Sequence, residues 1–179
     1  MSIATDFERR EFHRHLEASQ KRLRRMAYAW SHDAETAKDL AQEALLKALR
    51  SRDQLRDPAQ MDAWLFRILR NCWTDLVRKK TETPGLDGLD PIDDSSPEHL
   101  VGKLDTVTRV RAAVWRLPVG QREVLTLVDL EEKSYADAAF ILNIPVGTVM
   151  SRLCRARRAL KEQLQPRSTT SIVRPLIRG

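Results

Sequence analysis

Residues 134–160 have the sequence SYADAAFILNIPVGTVMSRLCRARRAL, which predicts two short helices joined by a tight turn. Ser134 followed three residues later by Asp137 is a capping-box signal for the start of the first helix. Asn143 stands where the chain must turn, and Asn tolerates the left-handed conformation that ends helices. Pro145 fixes φ near the start of the second helix. Together these signals predict a helix-turn-helix unit.

Each of the two predicted helices has an apolar face. In the first helix, helical spacing places four side chains on one side: Tyr135, Ala138, Ile141 and Leu142. In the second helix the apolar stripe consists of Val149, Leu153, Ala156 and Leu160. The opposite face of the second helix carries hydroxyl and guanidinium groups, from Thr148, Ser151, Arg152, Arg155 and Arg158.

The polar face of the second helix suits a DNA major groove. Arg can form bidentate hydrogen bonds with guanine there, and Ser or Thr can reach bases or phosphates. The alternative is a helical hairpin whose basic face is only solvated. We therefore predict a DNA-reading helix on the strength of this stretch together with the rest of the chain.

Composition limits the class of protein. The chain has 179 residues, is 42% hydrophobic and 31% charged, and contains only 6 Gly, which suits one medium or two small helical domains. The net charge of +6 favours an anionic partner. Two isolated cysteines indicate a reducing cytosol, and no apolar run is long enough to insert into a membrane. We find no P-loop, no Ser/His/Asp set and no metal-ligand cluster, so we expect no catalysis, cofactor or metal.

In the N-terminal part, the spacing of apolar residues predicts one or two helices in residues 6–30. It also predicts a clear amphipathic helix from Ser31 to Ser51. The basic run around residues 21–25 is interpreted as a solvated face. In the second helix, small residues allow a neighbouring helix to approach closely. Its opposite face carries acids, an amide and one leucine: Glu35, Asp39, Gln42, Glu43 and Leu46. This face is either a protein-docking patch or an ordinary surface with a single exposed leucine.

A third helix is predicted from Asp62 to Lys80, and it has two apolar faces. Between those faces lie polar side chains, namely Arg67, Asn71, Thr74, Asp75 and Arg78. Phe66 and Trp73 on the second apolar face could stack on the bases of single-stranded nucleic acid. The alternative is that both rings are buried because the helix is covered on two sides in a bundle.

The chain then changes character. Residues 81–103 contain three Pro, three Gly and six acidic side chains, which predicts an acidic flexible linker. Helical spacing resumes at residue 104 and continues through the helix-turn-helix to residue 165, and residues 166–179 are predicted to be a disordered tail. The expected fold is all-α: a small helical domain at 1–80 and a second at 104–165, joined by the linker.

The chain as a whole resembles an extracytoplasmic-function RNA polymerase sigma factor. The resemblance covers about residues 10–165, and four segments carry it: DAETAKDLAQEALLKAL (33–49), AWLFRILRNCWTDLVRKK (63–80), LPVGQREVLTL (117–127) and SYADAAFILNIPVGTVMSRLCRARRAL (134–160). It implies a cytoplasmic subunit that binds core RNA polymerase and directs promoter-specific initiation, often in a stress response. The implied partners are the clamp helices of the largest subunit, the flap of the second subunit, promoter DNA and an inhibitory anti-sigma factor.

The resemblance also implies roles for particular residues. The polymerase contact would include Asp39, Leu40, Gln42, Glu43 and Leu46. The −10 element would be read and opened by the third helix, through Arg67, Asn71, Asp75 and Arg78. The −35 element would be read by the helix-turn-helix, through Thr148, Ser151, Arg152, Arg155 and Arg158.

Two features depart from the family pattern. Asn143 stands where many members carry Gly, and Phe140 points away from the apolar face of its helix. Phe140 is predicted either to contact an anti-sigma factor or to pack within the second domain. Two other functions stay open at this point. The chain could be a stand-alone helix-turn-helix regulator, or a helical interaction protein that does not bind DNA.

Overall fold

The computed structural model describes residues 3–82 and 106–165. The N-terminal unit, residues 3–82, contains three α-helices, and two short 3-10 turns at Arg52–Gln54 and Pro58–Gln60 lie between the second and the third. The helices are α1 (Ile3–Ser31), α2 (Ala34–Arg50) and α3 (Met61–Glu82). The stretch predicted as one or two helices is thus a single long helix, and α3 begins and ends within two residues of its predicted limits.

The connection between α1 and α2 is tight because two residues have special roles. His32 adopts a left-handed conformation with φ of 53°, which turns the chain sharply after α1. Asp33 then caps α2, since its carboxylate accepts a hydrogen bond of 2.7 Å from the amide of Thr36. The buried face of α2 is lined by small side chains, so α1 and α2 can pack closely, as the sequence predicts: Ala37, Ala41, Ala44 and Ala48.

In the C-terminal unit, residues 106–165, four α-helices follow one another. They are α4 (Thr106–Trp115), α5 (Val119–Leu125), α6 (Tyr135–Leu142) and α7 (Val146–Leu164). α5 continues into a π-helical turn at Thr126–Leu130, where the amide of Glu131 donates to the carbonyl of Thr126 at 3.1 Å. The sequence predicts a helix over this whole stretch but not the change to π geometry.

The predicted helix-turn-helix is present as α6 and α7. Ser134 caps α6 by accepting a hydrogen bond of 3.0 Å from the amide of Asp137, and Asn143 ends it with φ of 52°. The predicted apolar faces are buried except for Leu160, which is half-buried near the end of α7, and Tyr135. Helical spacing predicts Tyr135 on the buried side of α6, but it is exposed because it occupies the first helical position, beyond the edge of the packed face.

The N-terminal and C-terminal units pack against each other. α1 contacts α4 and α5, and α3 contacts α6. At the centre of this contact, the indole nitrogen of Trp30 donates to the hydroxyl of Thr126 at 2.8 Å. The imidazole of His32 stacks on the ring of Trp115 with centroids 4.9 Å apart. Sequence patterns do not distinguish an open from a closed arrangement of the two units, and the structure shows the closed one.

The structure bears only in part on the predictions for the linker, the tail, the membrane and a metal site. The acidic linker and the C-terminal tail lie outside the described residues, apart from the last turn of α3. Across residues 3–82 and 106–165, none of the helices combines the length and apolar content needed to cross a membrane. Within the same ranges, His, Cys, Asp and Glu side chains form no group of three or more that could hold a metal ion.

Candidate nucleic-acid interface

The outer face of α7 is the most open of the predicted DNA-reading surfaces. Val149, Leu153 and Ala156 are buried against the rest of the C-terminal unit, which turns the opposite side of the helix to solvent. The side chains on that open side are Ser151, Arg155 and Arg158. Thr148 is half-buried in the first turn of α7, and its carbonyl accepts a hydrogen bond of 3.1 Å from the Ser151 hydroxyl. Three of the five predicted −35 residues are therefore exposed to solvent.

Arg152 is held closer to the protein than the other predicted −35 residues. Its guanidinium packs over Gly120 at the start of α5, so closely that a Cβ at position 120 would lie 2.8 Å from Nη1. The side chain is half-buried beside Glu123, which is itself buried. Burial raises the pKa of Glu123, and the positive charges of Arg70, Arg152 and Arg122 offset this only in part. Arg152 is therefore less exposed than Ser151, Arg155 and Arg158.

The predicted −10 residues of α3 are divided between solvent and the contact between the two units. Asn71 is exposed, and Asp75 lies 3.5 Å from Arg78 and 3.9 Å from Lys47. Arg67, by contrast, lies over the ring of Phe140 in α6, 4.6 Å from its centroid. The closed arrangement therefore covers one end of the predicted −10 surface and leaves the other end open.

The two aromatic side chains of α3 that could stack on bases, Phe66 and Trp73, do not form an exposed surface here. Phe66 and Trp73 are both buried, so the alternative of a helix covered on two sides is correct. The ring of Phe66 lies between two cations, Arg22 of α1 and Lys133 of the C-terminal unit, each 5.4 Å from its centroid. Base stacking on Phe66 would require both Arg22 and Lys133 to move away from its ring.

The predicted polymerase-binding face of α2 is open to solvent. Asp39, Gln42 and Glu43 are exposed, and Leu46 presents 53% of its surface. Leu40 is an exception that corrects the sequence prediction. It is only 3% exposed because it belongs to the core stripe of α2, so its side chain supports this face from within and does not lie on it.

Of the two predictions for Phe140, the structure tests only the one that places it within the second domain. Its ring is 44% exposed and does not pack into the interior of the C-terminal unit. Its aromatic face is covered by Arg67 from the N-terminal unit. The prediction that Phe140 packs within the second domain is therefore wrong, because its contact partner lies in the other unit.

A buried cluster of charges joins the two units, and the sequence analysis missed it. The side chain of Glu131 is 1% exposed, and its carboxylate binds the guanidinium groups of both Arg22 and Arg25 in α1. The distance from Glu131 Oε2 to Arg22 Nε is 3.0 Å. The sequence predicts a solvated face for the basic run in α1, and nothing in the pattern of residues 131–133 indicates a distant partner. In the folded chain those cations compensate a buried carboxylate.

Asp62, at the start of α3, extends this cluster. It accepts hydrogen bonds of 2.8 Å from Arg22 and 3.1 Å from Lys133, and its other oxygen lies 2.8 Å from His15 Nε2. Burial alone would raise the pKa of the Asp62 carboxyl, but the hydrogen bonds from Arg22, His15 and Lys133 outweigh it. They hold the pKa of Asp62 well below its usual range.

Arg122 connects the ends of two helices from different units. Its guanidinium donates to the carbonyl of Trp30 at 2.7 Å, in the last turn of α1, and to those of Trp115 and Leu117 at 2.9 and 3.1 Å. It also lies 4.0 Å from the centroid of the Trp115 ring. Burial lowers the pKa of Arg122 to about 10, which still leaves it charged at neutral pH. One cation thus satisfies carbonyls that the helix ends leave unpaired.

Comparison with known proteins identifies the family of the chain. The model of Sigma-70 region 2 matches residues 15–83, and that of Sigma-70, region 4, matches residues 108–160. The chain is 39% identical over 143 residues to the ECF RNA polymerase sigma factor EcfG of Rhodopseudomonas palustris, covering 79% of this chain and 78% of the relative. The chain belongs to the extracytoplasmic-function sigma factors.

Other relatives of this sigma factor agree. It is 36% identical over 147 residues to the RNA polymerase sigma-H factor of Pseudomonas aeruginosa, covering 75% of this chain and 76% of the relative. Among solved structures, the sigma factor RpoE of Bartonella quintana, in complex with the anti-sigma factor NepR, is similar at a TM-score of 0.70 and 31% identity. That similarity covers 86% of this chain and 96% of RpoE. The region 2 match contains α2 and α3, and the region 4 match contains the helix-turn-helix of this sigma factor.

Proposed function

We propose that this sigma factor binds core RNA polymerase through the exposed face of α2 and reads promoter DNA with two separate surfaces. α3 would read the −10 element through Asn71, Asp75, Arg78 and Arg67. α7 would read the −35 element through Ser151, Arg155, Arg158, Thr148 and Arg152. The observation that carries the proposal is the open polar face of α7, placed opposite a buried apolar stripe on a helix within the region 4 match.

The mechanism rests on recognition and positioning. Two small DNA footprints bind weakly by themselves, because each contributes few contacts. Docking on polymerase, at the clamp helices and the flap, would fix the distance between the footprints and raise the effective concentration of each for its element. Extruding a base of the −10 element costs a few kcal/mol, which contacts with Asn71 and its neighbours would offset. The sigma factor supplies no catalytic group or cofactor in this scheme, and it acts in the cytoplasm.

The closed arrangement sets an order for these events. The docking face of α2, with Asp39, Glu43 and Leu46, is exposed while the two units are in contact. Arg67 and the ring of Phe66 are covered in the same state. Polymerase can therefore bind first, whereas full contact with the −10 element requires the units to separate. We propose that docking on polymerase comes before this separation.

The proposal includes an anti-sigma factor as the inhibitory partner. The similar RpoE was solved bound to the anti-sigma factor NepR, and the region of similarity spans both units of our chain. An inhibitor that stabilises the closed arrangement would keep Arg67 from DNA without needing to cover α7. Phe140, which is partly exposed beside Arg67, is a surface that such an inhibitor could contact.

The decisive experiment is run-off transcription with purified core polymerase on a pool of promoters, with and without the sigma factor. We expect promoter-specific transcripts only when it is added. Asp39→Arg should abolish them by blocking docking, whereas Asp53→Arg, the same charge change at an exposed residue outside the docking face, should leave them. Arg155→Glu should abolish them by repelling DNA, and Arg116→Glu, an equal reversal at an exposed residue just after α4, serves as its control.

The possible outcomes separate the alternatives. Transcripts that survive both Asp39→Arg and Arg155→Glu would contradict the proposed surfaces. Tight binding of duplex DNA without polymerase, together with no initiation, would favour a stand-alone regulator. Failure to bind core polymerase in a direct assay would overturn the proposal as a whole.

A further inference from the structure

An apolar groove runs between the two units, on the side where α1 faces α4. Its volume is about 470 Å³. One wall is formed by Tyr28 and Ala29 of α1, and the other by Val107, Val110 and Val114 of α4. Residues of the π-helical turn and Leu160 of α7 also line it. The groove contains none of the residues assigned above to polymerase or DNA.

Several large apolar side chains that line the groove are exposed to solvent. Val107 is 49% exposed and Val110 38%, although both belong to the face of α4 that turns towards the groove. Leu130 in the π-helical turn is 44% exposed. Three large apolar side chains gathered in one concave surface indicate a place that another apolar segment covers.

The chain itself has a suitable segment within reach. α7 ends at Leu164, and Gln165 leaves the helix in an extended conformation. Leu160, which lines the groove, lies about 8 Å from Gln165 along the helix axis, at the rise of an α-helix. The next six residues, PRSTTS (166–171), are polar and span at most about 20 Å when extended. They are followed by two apolar pairs, Ile172–Val173 and Leu176–Ile177, separated by Arg174 and Pro175.

The composition of this segment fits the groove. In residues 172–177 four of six side chains are large and apolar, in contrast to the polar spacer before them. Pro175 restricts the unbound segment, so less conformational entropy is lost when it is ordered. Of the charged side chains that line the groove, Arg25 is bound to Glu131, Asp129 is bound to Arg157, and Arg111 of α4 is exposed. The lining that remains for a ligand is therefore mainly apolar.

We propose that residues 172–177 bind in the groove between α1 and α4 of the same molecule. The segment would then connect the end of α7 to both units and stabilise their closed arrangement. It would also give a role to a tail for which the sequence predicts only disorder. The contact lies within the chain and does not depend on the promoter or polymerase residues assigned above.

The test is disulfide trapping in the full-length chain. Cys154 is exposed and is first replaced by Ser, while Cys72 is buried and stays. The test pair is Val110→Cys with Leu176→Cys. The matched control is Leu49→Cys with Leu176→Cys, because Leu49 is also exposed but lies on α2, away from the groove. Under mild oxidation at low protein concentration, the test pair should form an intramolecular disulfide about tenfold faster than the control pair.

A second measurement avoids new cysteines. Leu176→Asp with Ile177→Asp should increase amide hydrogen exchange in α4 by about threefold or more, because the groove loses its cover. Thr169→Asp with Thr170→Asp adds the same charge to the polar spacer and should leave α4 unchanged. Equal trapping rates for test and control pairs would overturn the proposal. Trapping mainly as a disulfide-linked dimer would also overturn it, since a second copy would then fill the groove.

Discussion

The guanidinium of Arg67 lies 4.6 Å from the centre of the Phe140 ring, and these two residues belong to different units of the sigma factor. Arg67 is on the helix proposed to read the −10 element. Phe140 is on the first helix of the helix-turn-helix proposed to read the −35 element. A residue proposed to read one promoter element is therefore in contact with the helix-turn-helix proposed to read the other.

The pair should show measurable coupling. In a double-mutant cycle with Arg67→Met and Phe140→Leu, we expect a coupling energy of about 0.5–1 kcal/mol in the free energy of unfolding, as for other exposed cation–π contacts. Urea denaturation of the four proteins gives this value. Coupling indistinguishable from zero would mean that the contact contributes nothing to the closed arrangement in solution.

Glu131 should matter more than its neighbour Glu132. Glu131→Gln removes the carboxylate that binds Arg22 and Arg25, and we expect a loss of about 1–3 kcal/mol in the free energy of unfolding. Both arginines can regain water, which keeps the loss below that of a fully buried pair. Glu132→Gln is the matched control, since that side chain is exposed. Equal effects from the two variants in thermal or urea unfolding would contradict this account.

The hydrogen bond between Trp30 and Thr126 provides a test of the interior of the contact. Thr126→Val keeps the shape of the side chain but leaves the buried indole N–H of Trp30 without its acceptor. The expected loss is about 1–3 kcal/mol of unfolding free energy. Adding Trp30→Phe to Thr126→Val should recover part of the hydrogen-bond loss, although it introduces a smaller ring. If the two substitutions are simply additive, the hydrogen bond is not a significant source of stability.

The free energy of unfolding should decrease in acid, and Asp62 should account for part of the decrease. The pKa of Asp62 is lowered in the folded protein, so the unfolded chain binds a proton at higher pH than the folded chain does. Its contribution is therefore fully present above about pH 4 and is lost as the pH falls below that value. Asp62→Asn should reduce stability at pH 7 and flatten the decline in acid. Parallel stability curves for the two proteins between about pH 2 and 5 would refute this assignment.

Arg158 is expected to contact DNA phosphate more than bases, because it lies furthest along α7 from the turn among the assigned −35 residues. For the polymerase holoenzyme, Arg158→Ala should weaken promoter binding to a similar degree across −35 sequences. It should also reduce the slope of log affinity against log salt by about one. Titrations at several salt concentrations measure the slope. A loss restricted to one −35 sequence would instead identify Arg158 as a base-reading residue.

The sequence predicts most of the local structure because the signals are local. Ser134, Asn143 and the apolar stripe of α7 each act within a few residues, and each has its predicted role. The exposed acidic face of α2 is predicted in the same way. Leu40 was added to it only by the family resemblance, and its side chain is in the core.

The contact between the two units was not predictable from those signals. Arg22 and Glu131 are 109 positions apart, and in sequence each appears as an ordinary surface charge. Periodicity likewise placed Phe66 on an apolar face without indicating which residues cover it. Such pairings depend on how separate units approach each other, which a single sequence does not encode in any short pattern.

The length of the π-helical turn at Thr126–Leu130 determines the direction in which Glu131 points. A π-helical turn accommodates one more residue than an α-helix over the same length, and each residue added to an α-helix rotates the next part of the chain by about 100°. Deleting one residue there would turn Glu131 away from Arg22 and Arg25 and would also rotate the helix-turn-helix relative to α5. In an alignment of related sigma factors, a single-residue gap at this position would therefore mark those whose two units are joined differently.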